Sequence, residues 1–238
     1  MAQTPEDVVA GQPHDAVPPS VVVVPADEQH LQRTAELHVA ELYHGLFPQL
    51  GVEFVRRWHR VHCFSPYGVV LVAIRGESVI GFVLGTTDQR RHVAWTIQHH
   101  RGELLLAAAR AMLARPGVMI DFLRTRALRY TQRLLRGSGR SAAMSRSAGP
   151  DGPVAVLEAV AVASSAQGAG AGRALVDTFL TEMARAGVGR VDLVTKAGPS
   201  GAAGFYRRSG WQPAGEHVDR DGELALTFRI DPRTRHQP

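Results

Sequence analysis

Cysteine occurs once in the 238 residues, at Cys63, so neither a disulfide framework nor a paired Cys-x-x-Cys zinc site can be built. Lysine also occurs once, at Lys196, so guanidinium groups carry almost all of the positive charge. No apolar run approaches the roughly 18 to 20 residues that cross a bilayer, and Val21 to Val24 is the longest aliphatic block near the start. The first 32 residues hold no Lys or Arg, which removes the charged leader of a secretory signal. These absences lead to the expectation of a cytoplasmic protein in a reducing compartment. What remains is 45% hydrophobic and 21% charged, an ordinary globular composition. A chain of this length hides roughly 70 to 75% of its unfolded surface, enough for a core without covalent staples.

The net charge of +5 is local in origin. Residues 88–150 hold twelve arginines against Asp88, Glu103 and Asp121, while the rest of the chain is net acidic. A helix from about Val118 would set Ile120, Leu123, Ala127, Tyr130 and Leu134 on one side and Arg126, Arg129, Arg133 and Arg136 on another. A solvated arginine face is the plain explanation. A lid, or a patch for phosphates or an anionic membrane surface, is the sharper one. A high pI alone does not establish nucleic-acid binding, and nucleic acid is not an expected partner.

Residues 1–19 carry four prolines among small and acidic residues and read as a disordered tail, leaving one domain over 20–232. VVVVPA predicts a first strand, and Asp27 caps a helix whose Leu31, Ala35, His38 and Leu42 share a face. Leu50, Phe54, Trp58 and Val61 predict a second helix between Pro48 and Pro66. VVLVAIR and SVIGFVLG form a hairpin through Gly76 and Glu77. The helical insert at 88–150 follows, with helices at ELLLAAARAMLA and from Val118, and 137–153 reads as a flexible linker. Beyond Pro153 come strand VAVLEAVAV, loop ASSAQGAGAG, helix RALVDTFLTEMARAG, strand VDLVTK, a short helix at AAGFYRRSG, and two strands around an Asp221-Gly222 turn. The class is α/β.

Gly168, Gly170 and Gly172 lie between a strand and a helix, where unpaired main-chain N–H groups and the positive end of the helix dipole favour an anion. A P-loop would end in Gly-Lys-Ser/Thr, and this loop ends Gly172-Arg173-Ala174. A dinucleotide fingerprint would need glycine where Arg173 stands, although Asp192 lies where a ribose-binding acid would. A nicotinamide-dependent oxidoreductase is therefore weakened and stays open.

Gln167, Gly170 and Gly172 spell Q-x-x-G-x-G. With Ala202, Phe205, Tyr206, Gly210 and Trp211 in the order A-x-x-F-Y-x-x-x-G-W, the chain resembles the GNAT-superfamily N-acetyltransferases. The resemblance spans about residues 20–230, apart from the insert. It implies a GNAT-like mixed, mostly antiparallel twisted sheet flanked by helices, with the helical insert between strands 3 and 4. It also implies acetyl-CoA as donor, with no metal. Val160, Ala161 and Val162 would hold the pantetheine arm and acyl group. Gln167, Gly168, Ala169, Gly170, Ala171, Gly172 and Arg173 would hold the pyrophosphate. The family's asparagine before the second motif is replaced by Pro199, next to Ser200, so the resemblance does not carry over that residue's hydrogen bond to the coenzyme.

Amine acylation by direct attack passes through a tetrahedral intermediate and needs a proton acceptor, an oxyanion site and a group for the departing thiolate. By resemblance Tyr206 serves the thiolate. Glu158, two residues before Val160 and thus on the same strand face, is the candidate base, with a charge partner to arginine as the competing role. His59-x-x-His62 next to Cys63 offers two metal ligands but no matching acid at i+4, and an amphipathic helix bearing surface histidines is enough to explain it. The expected acceptor is a small-molecule primary amine. The arginine-rich insert suggests an anionic one such as a nucleotide sugar or phosphorylated metabolite. Membrane-surface contact through the insert and homodimerisation remain open, and so does a non-catalytic acyl-CoA sensor.

Overall fold

The computed structural model describes residues 20–42, 45–122, 152–198, 202–219 and 222–236. The chain runs β1 (Val21–Pro25), α1 (Leu31–Glu41), α2 (Leu46–Gln49), α3 (Val52–Phe64), β2 (Gly68–Arg75), β3 (Ser78–Thr86), α4 (Gln89–Leu113) and α5 (Pro116–Phe122). It continues β4 (Val154–Val162), α6 (Ala171–Arg185), β5 (Arg190–Lys196), α7 (Ala203–Arg208), β6 (Gln212–Val218) and β7 (Leu224–Ile230). The seven strands form one sheet in the order β1-β2-β3-β4-β5-β7-β6. Every neighbouring pair is antiparallel except β4 with β5, which α6 joins as a crossover. The mixed, mostly antiparallel sheet and the insert between β3 and β4 match the sequence-based expectation.

The two faces of the sheet are covered by different helices. Leu175, Val176, Phe179, Leu180 and Met183 recur at helical spacing on α6 and are all fully buried. Gly81 and Gly85 on β3 let that helix come close, because a Cβ on Gly85 would overlap the Phe179 ring at 2.7 Å. Emptying the Phe179 site with alanine would cost about 3 to 5 kcal/mol. On the other face α1 and α3 pack together and set His38 and His59 against Phe82, with ring centroids at 5.6 and 5.0 Å.

Several local expectations change. Asp27 caps a single 3-10 turn, Glu28–His30, that leads into α1. Pro48 lies inside α2, and α3 starts after the positive-φ Gly51. The first insert helix begins at Gln89, not near Glu103, because Asp88 caps it by accepting from the Arg91 amide at 3.0 Å. The tail at 1–19, the second insert helix beyond Phe122, the linker up to residue 151, and Pro199 with Ser200 lie outside the described residues. No helix among the described residues is long and apolar enough to cross a membrane.

Candidate active site

β4 is paired on both edges only over its first half. Its parallel ladder with β5 runs from Val154–Arg190 to Leu157–Leu193 and stops there, while pairing with β3 continues to Val162. From Val194 onward β5 pairs only with β7, so the two strands part like an opened seam. The Ala163 amide donates to the Ile80 carbonyl at 2.8 Å, which fixes the phase of the β3–β4 ladder. Ala161 and Ala163 therefore turn their backbone groups to β3, and Val160 and Val162 turn theirs to the seam. Unlike its neighbours, Ala161 has no main-chain group to offer there.

A bulge sits where the seam begins. Leu84 faces Ala159 and the next residue, Gly85, faces Leu157, so Glu158 is the extra residue on β4. The bulge overturns one expectation. Glu158 is not on the face of Val160. Val160 and Val162 lie opposite Val83 and Gly81 on the α6 face, with Val162 Cγ2 3.6 Å from where a Cβ on Gly172 would stand. Glu158 turns to the α3 face, where its Oε2 lies 3.2 Å from His62 Nε2. Burial raises the Glu158 carboxyl, but the His62 charge and the hydrogen bonds from His62 and Gln89 outweigh it and hold the group below the usual carboxylate range. Its hydrogen-bond partner is thus a histidine, not the arginine considered above.

Past β4, Gln167 Nε2 donates to the Val162 carbonyl at 3.2 Å and draws the loop back against the strand end. Gly168 and Gly170 take φ of 83° and 81°, and no atom lies within 4 Å of a Cβ at either. Gly170 is the N-cap of α6 with no side-chain cap, so the first-turn amides of Ala171, Gly172 and Arg173 have no intrahelical acceptor. Gln167, Gly168, Ala169 and Gly170 are exposed, and Arg173 leans on Asp177 at 3.4 Å. This cradle of main-chain donors fits a pyrophosphate, and no side chain fills it.

Tyr206 comes from the opposite limb of the seam. The Ala202 amide, at the start of α7, donates to Thr195 Oγ1 of β5 at 3.3 Å. Tyr206 is buried among Phe205, Trp211 and Phe228, with centroids 5.2, 5.6 and 6.1 Å away. Burial pushes its hydroxyl up to about 12. Arg207 and Arg208 are exposed, the former over the Phe228 ring at 5.7 Å. Asp192 is held by Arg190 and by Arg229, whose Nε donates at 2.9 Å, so it is engaged within the sheet and not offered to a ribose.

His59 and His62 are 0% and 1% exposed, which overturns their reading as surface residues. His59 Nε2 meets His38 Nδ1 at 3.1 Å and its Nδ1 meets Thr34 Oγ1 at 2.9 Å. His92, from α4, meets Ser65 Oγ at 2.9 Å. Burial, and next the His62 charge, push His92 down to about 4; burial chiefly does the same to His38. Sequence periodicity held the signal, since His38 falls on the apolar face of α1. Among the described residues no three His, Cys, Asp or Glu side chains converge as a metal cluster.

Residues 135–211 match the model of the Acetyltransferase (GNAT) family. Among solved structures the chain is similar to SsHAT at 22% identity and TM-score 0.53, covering 90% of this chain and 99% of that one. It is similar to the ribosomal-protein-alanine N-acetyltransferase of Brucella melitensis at 17% identity and TM-score 0.53, covering 88% and 99%. A third, the histone acetyltransferase HPA2 and related acetyltransferase of Corynebacterium glutamicum, matches at 20% identity and TM-score 0.52, covering 93% and 99%. At such identities these likenesses speak for the fold. No curated protein matches the chain.

Proposed function

From the match of residues 135–211 to the GNAT family model and the shared fold, we propose that this chain is a GNAT-type transferase that moves an acyl group, acetyl above all, from coenzyme A to the primary amine of a small molecule by direct attack. The observation that carries this reading is the seam. The inward-facing amides of Val160 and Val162 lead directly into the unfilled glycine turn, so one extended molecule can pair with β4 and set a diphosphate on the α6 N-terminus. The coenzyme supplies a thioester whose carbonyl accepts a nucleophile. A strand amide fixed by β3 pairing would donate to charge developing on that carbonyl oxygen without reorganising.

Glu158 at the bulge accepts the amine proton, directly or through water. Tyr206 donates a hydrogen bond to the departing sulfur. The acceptor reaches Glu158 from the side of α1, α3 and α4. Of the arginines that would favour an anionic acceptor, Arg91 pairs with Asp88 and Arg115 donates to the Leu50 carbonyl, while seven others follow Phe122, outside the described residues.

The test is thiol release from acetyl-CoA across an amine panel, set beside calorimetry of coenzyme binding. Binding with release supports the reading. Binding without release under any condition makes the chain an acyl-CoA sensor. A melting temperature raised by NAD and not by coenzyme A would refute the reading altogether.

A further inference from the structure

A polar cluster interrupts the apolar layer where α3, the start of α4 and the β4 bulge meet. We propose that His62 of α3 and Gln89 of α4 form a two-sided clamp on the Glu158 carboxylate, each a positioning residue that fixes its charge and direction without touching substrate. The insert thereby enters the chemistry through its first helical residue. This inference rests on the reading of Glu158 as proton acceptor.

His62 Nδ1 lies 3.1 Å from the Trp58 carbonyl oxygen, which can only accept, so that nitrogen carries a hydrogen. Nε2 faces Glu158 Oε2, another acceptor, at 3.2 Å. One further proton must lie on that line, and an imidazolium facing a carboxylate satisfies both contacts. On the second side, the Thr86 hydroxyl donates to Gln89 Oε1 at 2.8 Å. That bond fixes the amide flip and leaves the NH2 end of Gln89 as the donor that the proposed clamp turns on Glu158.

The neighbouring histidines leave the carboxylate to His62. His92 of α4 packs its ring 4.2 Å from that of His62 and gives its own Nδ1 to Ser65. His38 of α1 and His59 of α3 lie around the same Trp58 ring, at 5.5 and 5.6 Å. All three are held uncharged by burial, so none competes for the carboxylate at neutral pH. His62 is 1% exposed and Glu158 16%, so an incoming amine meets the carboxylate and not the imidazole.

Carbon-13 NMR titration of the Glu158 carboxyl, assigned by its loss in Glu158→Gln, tests the clamp. In the unmodified chain it should stay flat between about pH 5.5 and 9. In His62→Leu, burial is left unopposed and an inflection should appear inside that window, since such carboxyls rise by up to about 3 to 5 units. His62→Gln should move less, and Gln89→Leu, which leaves α3 untouched, should shift the carboxyl upward by about one unit. A carboxyl that stays flat in folded His62→Leu and unshifted in Gln89→Leu overturns the clamp. Thiol release then separates the two readings. Turnover of His62→Leu should recover as pH rises through the new inflection. If the carboxyl moves and turnover ignores it, the clamp stands and the base assignment of Glu158 falls.

Discussion

On the α6 side of β4 the site is made of main chain: strand amides at Val160 and Val162, a glycine turn, and the first turn of one helix. On the α3 side it is made of side chains, with Glu158, His62, Gln89 and His92 drawn from three separate elements. The first half needs only that nothing protrude, so small residues satisfy it and water reaches it freely. The second half needs each polar atom to find a partner, because a buried unpaired group costs about 1 to 3 kcal/mol. The half proposed for the coenzyme is thus specified by absence and the half proposed for the acceptor by mutual satisfaction, and the two should fail differently when altered.

Glu158→Gln should separate them most widely. Turnover is expected to fall about 10²- to 10⁴-fold with coenzyme affinity unchanged in calorimetry. Equal loss of affinity would show that the halves are not independent. Gly170→Val attacks the other side. A left-handed φ of 81° costs a β-branched residue about 1 to 2 kcal/mol or more, and the new side chain stands where an anion would. With one charge-assisted hydrogen bond lost as well, coenzyme affinity should fall about 100-fold while the Glu158 titration stays as it was.

The same contrast governs what the sequence discloses. Gln167 to Gly172 is contiguous, its neighbours carry clean strand and helix periods, and an anion cradle follows from local geometry. The acceptor half joins positions 62, 89, 92 and 158, which no local window brings together. His62 reads as surface because its neighbour Cys63 and the arginines of α3 dilute the apolar stripe. The start of α4 is hidden because QRRHVAWTIQHHRG lacks an apolar period and is held by the Asp88 cap and by His92 reaching Ser65. The bulge at Glu158 is a matter of register, visible only when β3 and β4 lie side by side. Strict alternation consequently misassigns that one side chain by a whole face.

The histidine half should also be the acid-labile half. A buried histidine whose folded pKa is depressed binds no proton when folded, while the unfolded chain binds one below about 6.5. Its stability contribution is therefore whole above that value and is lost as pH falls toward about 4 for His38 and His92. At pH 5 each should cost about 2 kcal/mol, a large part of an ordinary folding free energy of about 5 to 15 kcal/mol. Denaturant midpoints should drop steeply between about pH 7 and 5, and His92→Phe should flatten the slope. A stability curve level down to about pH 4.5 would mean that these rings are already protonated in the fold.

Tyr206 offers the smallest and most discriminating test, because it lies beyond the seam from the histidines. With its hydroxyl at about 12, transfer to a thiolate of about 8.5 would run uphill by about 5 kcal/mol. A hydrogen bond to the sulfur carries no such cost. Tyr206→Phe keeps the ring contacts with Trp211 and Phe228, so the melting temperature should hold. Losing one such bond should lower turnover about tenfold. The pH dependence of turnover should not change, since no proton is exchanged. A rate within about twofold removes the residue from the mechanism, and a pH limb that vanishes with the hydroxyl would make Tyr206 the acid after all.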